Sequence, residues 1–560
     1  MDQFGRLGIV APQAHDAEFS TGASPGTHAR TRQLLSHRTL VWLAMVTGAL
    51  THGFHLFVYP LYITDEGIYM EQAWSVLREG HLSPYTYFYD HAPAGWLVIA
   101  GWVRILPHQF ETFGNAINTG RVLMLIIHVA SVFLLFQTTS RLANSTVAAV
   151  IATFLFNLSP LAVFYQRMVL LDNLMVFWVL LSLYLAMSAK RHVLMPLLSG
   201  LALGVGILTK ENAIFFIPAI VYLLYRNVRP RRSYRFGLGF WSYALVAVVS
   251  VYVLYAVLKS ELLPSYLKFN LNNPPADHVS LLFTLWWQLH RNQGSILDMH
   301  SLVYRLSLGT WLPKDSFLLI GGGVATGINV LLGLGDRARK TGTPGFLVAA
   351  ALSAGYAFYV FHGSVILEFY VVPLLPFFAM NIGMLGSRLL DKLVGASRLG
   401  RRSAVVQMAL VVTCFVVLLL PFGGYFLVRD APGRIVPHDL YKLPQTFMET
   451  EQVAFIRHTI PPTARIVMDD DLWVDLHDVL PYYPYAHSHW KASSDPAIRD
   501  RLFQQNWQNI DYIVMSNQML QAMQQNGPGE QYILEALSHA KRIWVLQRGD
   551  VKLEVYQVQK

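Results

Sequence analysis

The chain has 560 residues, 54% of them hydrophobic and only 14% charged, with a mean hydropathy of +0.38. Soluble chains carry roughly a quarter charged residues, so the composition excludes an ordinary soluble domain and marks an integral membrane protein. The net charge of +9 is not a nucleic-acid footprint. Its basic residues cluster between apolar stretches, at Arg30–Arg38, Lys190–His192, Arg226–Arg235, Asp336–Lys340 and Arg388–Arg402, which is the positive-inside pattern that orients membrane helices.

Residues 1–38 are polar, rich in Gly, Ser, Thr and His, and lack apolar periodicity; they read as a disordered cytoplasmic tail. An apolar run from about Leu40 to Ile63 follows the basic flank. It is long enough to cross ~30 Å of hydrocarbon and has no small-residue cleavage site, so it reads as an uncleaved first helix. With the N-terminus in the cytoplasm, the next loop, 63–118, lies outside.

That loop opens on two adjacent acids, Asp65 and Glu66. Thr64 is placed to cap a helix and Gly80 to end it, while Ile68, Tyr69, Ala73, Val76 and Leu77 recur at helical spacing. A second amphipathic piece, Trp96 to Leu106, is too short to span and carries Arg104, so it is expected in the outer interface. Spanning segments are then expected near 119–140, 146–165, 169–189, 193–209, 212–226, 236–258, 316–335, 344–362, 365–386 and 403–428, about 11 spans with the first helix. The hairpin around Lys210 is cut by Thr209-Lys210-Glu211-Asn212. An odd count puts the C-terminus outside and every basic cluster inside.

Residues 259–315 form a long polar-aromatic loop containing Trp286, Trp287, His290, Arg291 and His300; loops of this length are often functional. From 429 to 560 the composition becomes that of a soluble unit. Strands are expected at 464–470, 510–516, 542–548 and 551–558, with helical patterns near 446–459, 496–506 and 530–540, giving a small extracytoplasmic α/β domain behind the transmembrane domain of residues 39–428. No Gly-rich phosphate loop is present. The lone Cys414 supplies neither a disulfide framework nor a cysteine metal site.

Charges at the outer ends of apolar helices are costly and call for a functional hypothesis. They are Asp65, Glu66, His91, Arg121, Arg167, Asp172, Lys210, Glu211, His362 and Glu368. Each has a plainer reading. Asp65 and Glu66 complement a helix dipole, Arg167 and Asp172 suit an internal ion pair, and Arg121 and Lys210 suit snorkelling to lipid phosphates. Asp469, Asp470 and Asp471 suit a divalent cation, but a strand end entering a helix start explains them more cheaply.

Read together, the segments resemble the GT-C glycosyltransferases, specifically the protein O-mannosyltransferase and aminoarabinose (lipid A) transferase group. The resemblance rests on Asp65-Glu66, Tyr69, Ala73, Gly80, His91-Ala92-Pro93 and Trp96 in the first outer loop. It continues through Gly120-Arg121, Arg167 to Asp172-Asn173, Gly204 to Lys210, and EFYVVPLLPFF from Glu368. Ala92 stands where the group often has the first of two prolines, and His91 where lysine is common.

The resemblance implies a GT-C fold and a polyprenyl-phosphate-linked sugar donor used outside the cytoplasm, with a lipid, glycan or protein as acceptor. On this reading Asp65 is the general base, supported by Glu66. Arg121, Arg167 and Lys210 hold the donor phosphate, and Tyr69, His91, Asp172, Glu368 and Tyr370 orient the substrates. The long loop and the C-terminal domain would cover the site and recognise the acceptor. A metal requirement, the hexose or pentose nature of the sugar and the acceptor stay open. A secondary transporter or flippase is the competing class; such proteins tend to show internal repeats and midplane charges, and no repeat is visible here.

Overall fold

The computed structural model describes residues 36–82, 91–190, 192, 194–228, 234–263, 280–290, 294–338, 345–363, 366–396, 446–495, 497–525, 528–548 and 551–560. The expected tail up to residue 35, the expected span at 403–428 and Arg291 in the long loop lie outside these residues. The first part of the chain is helical: α1 (His37–Gly53), α2 (Thr64–Arg78), α3 (Ala94–Arg104), α4 (Ala116–Ala143), α5 (Thr146–Leu158), α6 (Pro160–Tyr165), α7 (Leu171–Met187) and α8 (Leu194–Thr209). It continues with α9 (Ile217–Val228), α10 (Tyr234–Leu258), α11 (Leu281–His290), α12 (Leu302–Leu306), α13 (Leu312–Ala338), α14 (Gly345–His362) and α15 (Leu375–Ala396). Five described stretches are long and apolar enough to cross a membrane: Ala116–Ala143, Arg235–Leu258, Leu302–Gly335, Gly345–His362 and Glu368–Lys392.

Where spans are shorter than expected, local chemistry explains the break. α1 ends at Gly53 rather than Ile63, because His55 takes a left-handed backbone conformation and Tyr59-Pro60 follows. The expected 146–165 span divides at Ser159-Pro160, where the Ser159 hydroxyl caps α6 and proline occupies its first turn. The Lys210 cut is real: α8 stops at Thr209 and a 3-10 turn, Glu211–Phe216, leads into α9. The expected 316–335 span begins earlier, with a bend at Asp315 whose carboxylate accepts from the Leu318 N–H at 2.9 Å and the Ser159 hydroxyl at 2.5 Å.

α7 is the axis of the bundle, buried along most of its length against α4 and α8. Gly200 and Gly204 let α8 approach α10 closely, since a Cβ at Gly200 would fall 2.3 Å from the Trp241 carbonyl oxygen. On α10, Phe236, Tyr243, Val246, Val251, Leu254 and Leu258 stay exposed. An apolar face of that size suits lipid.

The C-terminal unit contains α16 (Phe447–Thr459), β1 (Ile466–Met468), α17 (Trp473–Asp478), β2 (Ala486–Ser488), α18 (His489–Ser494), β3 (Tyr512–Ser516), α19 (Asn517–Gln525), α20 (Gln531–Ser538), β4 (Ala540–Arg548) and β5 (Val551–Val558). Its five-stranded sheet has the order β2-β1-β3-β5-β4. β1 pairs in parallel with β2 and β3, and β5 pairs antiparallel with β3 and β4, with Ile513 opposite Tyr556. The four expected strands form; β2, α17, α18 and α19 are additional. Strand alternation gives the sheet two working faces. Ile466, Met468, Val514 and Val555 join the core of the helical body, whereas Val467, Ile513 and Met515 pack on Phe503, Met519 and Ile533. β4 is an edge, and its exposed Lys541, Arg542, Gln547 and Arg548 discourage further strand pairing.

Candidate active site

α2 presents its first turn to the ends of α4 and α7. It ends beyond Arg78 as expected, with Gly80 at φ +74°. Its N-cap is Ile63 rather than Thr64: the Ile63 N–H reaches the Glu66 carboxylate at 3.4 Å, while the Thr64 hydroxyl donates to Asp469 at 3.2 Å. Successive acids therefore point to different partners, as a 100° helical step requires.

Glu66 is fully buried and saturated. It accepts from Arg121 Nε at 2.9 Å and Nη2 at 2.7 Å, and from the Val169 N–H at 2.9 Å. Arg121 is equally buried. Its other donors reach the carbonyls of Leu56 at 3.4 Å, Pro60 at 2.9 Å and Leu61 at 3.4 Å, and its plane lies 4.7 Å from the Tyr62 ring. A guanidinium has five N–H donors, so these contacts leave Arg121 none for a phosphate. The expected donor-phosphate arginine is built as a clamp between α4, the end of α1 and α2.

Asp65 is different. Its Oδ1 accepts from the Tyr69 hydroxyl at 3.2 Å, one turn along, and among the described residues it makes no ion pair. Part of its surface stays open. Burial raises its pKa, opposed by the nearby positive charge of Lys210, by His91 and by the Tyr69 hydrogen bond. The Tyr69 ring stands edge-on to His91, with centroids 6.3 Å apart. His91 Nδ1 is 3.2 Å from Glu211, which also accepts the Ala92 N–H at 2.6 Å, so the cut after Thr209 secures the His91 turn.

Lys210 is buried and pairs with Asp172 at 2.5 Å, its ammonium lying over the Tyr370 and Phe369 rings at 4.1 and 5.0 Å. The internal pair expected between Arg167 and Asp172 is thus replaced by Lys210–Asp172. Arg167 donates instead to the Thr51 carbonyl at 2.5 Å and lies 5.6 Å from the Tyr59 ring. Glu368 accepts from the Tyr165 hydroxyl at 3.2 Å, and its backbone carbonyl accepts from Trp311 Nε1 at 2.7 Å. His362 packs on Phe358, away from these contacts.

One residue absent from the expectations belongs here. Lys314 lies 3.5 Å from the Tyr165 hydroxyl and 4.2 Å over the Phe164 ring, beside Glu368. Phe164 and Arg167 both touch Tyr59, so Arg167 and Lys314 border one aromatic group, while Lys210 lies over a second, Tyr370 and Phe369. The signal was the Lys-Asp dipeptide, Lys314-Asp315, opening an apolar run.

The cation reading of Asp469–Asp471 finds little support. Asp469 accepts from Thr64 and, at 2.5 Å, from the Ser516 hydroxyl; both Asp470 oxygens accept from Trp490 Nε1 at 2.9 Å. Among the described residues no group of three His, Cys, Asp or Glu is disposed to hold a metal ion.

A family model described as dolichyl-phosphate-mannose-protein mannosyltransferase matches residues 90–258. Among solved structures, the chain is similar to ArnT from Cupriavidus metallidurans bound to undecaprenyl phosphate, with 14% identity, a TM-score of 0.54, and 93% of this chain and 98% of that one covered. It is also similar to the Archaeoglobus fulgidus oligosaccharyltransferase in the apo form, with 11% identity, a TM-score of 0.50, and 87% and 70% covered. The arabinofuranosyltransferase AftD from Mycobacteria matches with 15% identity, a TM-score of 0.50, and 94% and 40% covered. No curated protein matches in sequence. The chain is an integral membrane protein with the GT-C glycosyltransferase fold. The resemblance to the protein O-mannosyltransferase and aminoarabinose transferase group, read from the first outer loop onward, is borne out.

Proposed function

We propose that the chain transfers a sugar from a polyprenyl-phosphate donor to a hydroxyl on an extracytoplasmic lipid, glycan or protein acceptor. One observation carries this reading. Of the three carboxylates in the first turns of α2 and α7, Glu66 and Asp172 are each held in an ion pair, and Asp65, among the described residues, is not. A general base needs an oxygen within reach of the acceptor proton and a pKa moved toward the working pH. Asp65 has both an open surface and a raised pKa.

The polyprenyl phosphate is the leaving group. Asp65 takes the acceptor hydroxyl proton, the acceptor oxygen attacks the anomeric carbon, and the carbon–oxygen bond to phosphate breaks, inverting that centre. Lys210, Arg167 and Lys314 stabilise the departing phosphate charge; Arg121 and Glu66 hold the frame. Tyr69 and His91 orient Asp65 and the sugar, and Asp172, Glu368 and Tyr370 set the cations. The ArnT structure bound to undecaprenyl phosphate supports the donor class. The N-terminus is assigned to the cytoplasm and the C-terminal unit to the outer side, because that orientation puts the basic clusters inside.

The test is incubation of purified protein with radiolabelled polyprenyl-phosphate sugars and a membrane lysate. Transfer of label to a lipid, glycan or protein is expected. No transfer from any such donor, with solute flux in liposomes carrying the protein, would establish a transporter instead.

A further inference from the structure

α2 has a second face, and it belongs to the C-terminal unit. Thr64, Gly67, Glu71, Trp74 and Arg78 follow one another at intervals of three and four, one stripe of a helix. Thr64 donates to Asp469. A Cβ at Gly67 would fall 2.2 Å from the Asp470 carbonyl oxygen, so the glycine lets the two backbones touch. Glu71 and Lys491 form a buried ion pair. Trp74 Nε1 donates to Asp478 at 2.8 Å, with its ring edge-on to Trp473 at 5.0 Å. Arg78 holds the same Asp478 with two bonds, 2.6 and 2.9 Å. Asp475 accepts the first N–H of α4 at 3.1 Å, so the unit also caps the helix that carries Arg121.

We infer that the C-terminal unit is a positioning half of the active site, holding α2, and with it Asp65, against the membrane body. Asp65, Glu66 and Tyr69 leave α2 toward the bundle, while the stripe leaves toward the sheet. The helix is therefore fixed between two surfaces, and neither alone sets its angle. The unit acts through the face of α2 turned to the sheet; Lys491, Asp478 and Gly67 are positioning residues. A misplacement of about 1 Å in a reacting group costs on the order of 100-fold in rate, and loosening this seam moves Asp65 by that order. This inference rests on Asp65 as base for its catalytic part, and on geometry alone for the rest.

The experiment uses the full chain in lipid nanodiscs. Lys491→Met leaves Glu71 buried and unpaired, Gly67→Ala wedges the backbones apart, and the double variant E71Q/K491M removes both charges. Hydrogen exchange of peptides covering 64–78 is expected to quicken about tenfold or more in K491M and G67A, and to return toward wild type in E71Q/K491M. Peptides from α7 and α8 are expected to stay unchanged. With a radiolabelled polyprenyl-phosphate sugar, the single variants lower kcat by roughly 100-fold with donor KM unchanged, and the double variant recovers. Unaltered exchange of 64–78 in both single variants, or a double variant no better than K491M, would overturn the positioning role. Asp65→Asn in the same turnover assay keeps the two ideas apart. Its full activity would remove the base assignment, while the exchange result would still decide the seam.

Discussion

Arg121 is where two accounts of the same residue diverge most sharply. Outer-loop arginines suggest a phosphate ligand, yet the geometry makes Arg121 a structural clamp with every donor satisfied and no exposed surface. Replacing Glu66 by Gln leaves a buried guanidinium facing a neutral amide, whose NH2 must meet either Arg121 or the Val169 and Ile63 N–H groups. Breaking one partner of a buried pair costs about 3–5 kcal/mol. At about 1.4 kcal/mol per tenfold, that is roughly two to four orders of magnitude in the folding equilibrium.

An apolar pair of similar volume, Glu66→Leu with Arg121→Met, removes both desolvated charges and is expected to recover part of that loss, the remainder being the Val169 and Ile63 N–H groups and the Leu56, Pro60 and Leu61 carbonyls left without partners. The assay is unfolding of the purified chain in mixed micelles under increasing SDS, for wild type, E66Q, R121M and the apolar pair. Single variants that unfold as late as wild type, or a donor KM that rises in R121M while stability holds, would refute the clamp.

Lys314→Met is expected to raise donor KM about tenfold to a hundredfold, the scale of a charge-assisted contact, and to leave the acidic limb of the pH–rate profile in place; kinetics with varied donor checks this. Glu449 supplies a stability test at the seam. Burial, its largest influence, pushes its pKa up to about 8, so the folded chain binds a proton that the unfolded chain releases near pH 4–5. Its contribution therefore declines as pH rises from about 4.5 to about 8, and Glu449→Gln is expected to raise the melting temperature more at pH 8.5 than at pH 5.

Much of the architecture was legible in the chain because hydrophobic length and period are local properties. The α2 segment, the cut after Thr209 and strands β3 and β5 could be read directly. Helix ends were harder: Phe54 to Tyr62 are apolar enough to continue α1, and only backbone turns at His55 and Pro60 stop it. The site divided in the same way. That Asp65 and Glu66 matter was visible, but which acid is held and which is open depends on Arg121, fifty-five positions away. Lys210 was expected beside phosphate, and the partnership with Asp172 required three-dimensional proximity. Lys314 is hard to see in the sequence because a charge at the start of an apolar run reads as a flank; the bend at Asp315 is what aligns it with Tyr165. The stripe on α2 was partly hidden because the partners of Gly67, Glu71 and Trp74 lie more than four hundred residues later.

The central claim is that Asp65 is the group that takes the acceptor proton. The direct measurement is the pH dependence of kcat/KM for wild type, with Asp65→Asn and Asp65→Glu alongside, using a radiolabelled polyprenyl-phosphate sugar. The wild type should lose activity on acidification with an apparent pKa above the ~3.9 of an ordinary aspartate, because burial raises that of Asp65. Asp65→Asn should lose at least about 100-fold while retaining the fold, and Asp65→Glu should keep a fraction of the rate. An Asp65→Asn protein that turns over like wild type, with the same acidic limb, would contradict the account.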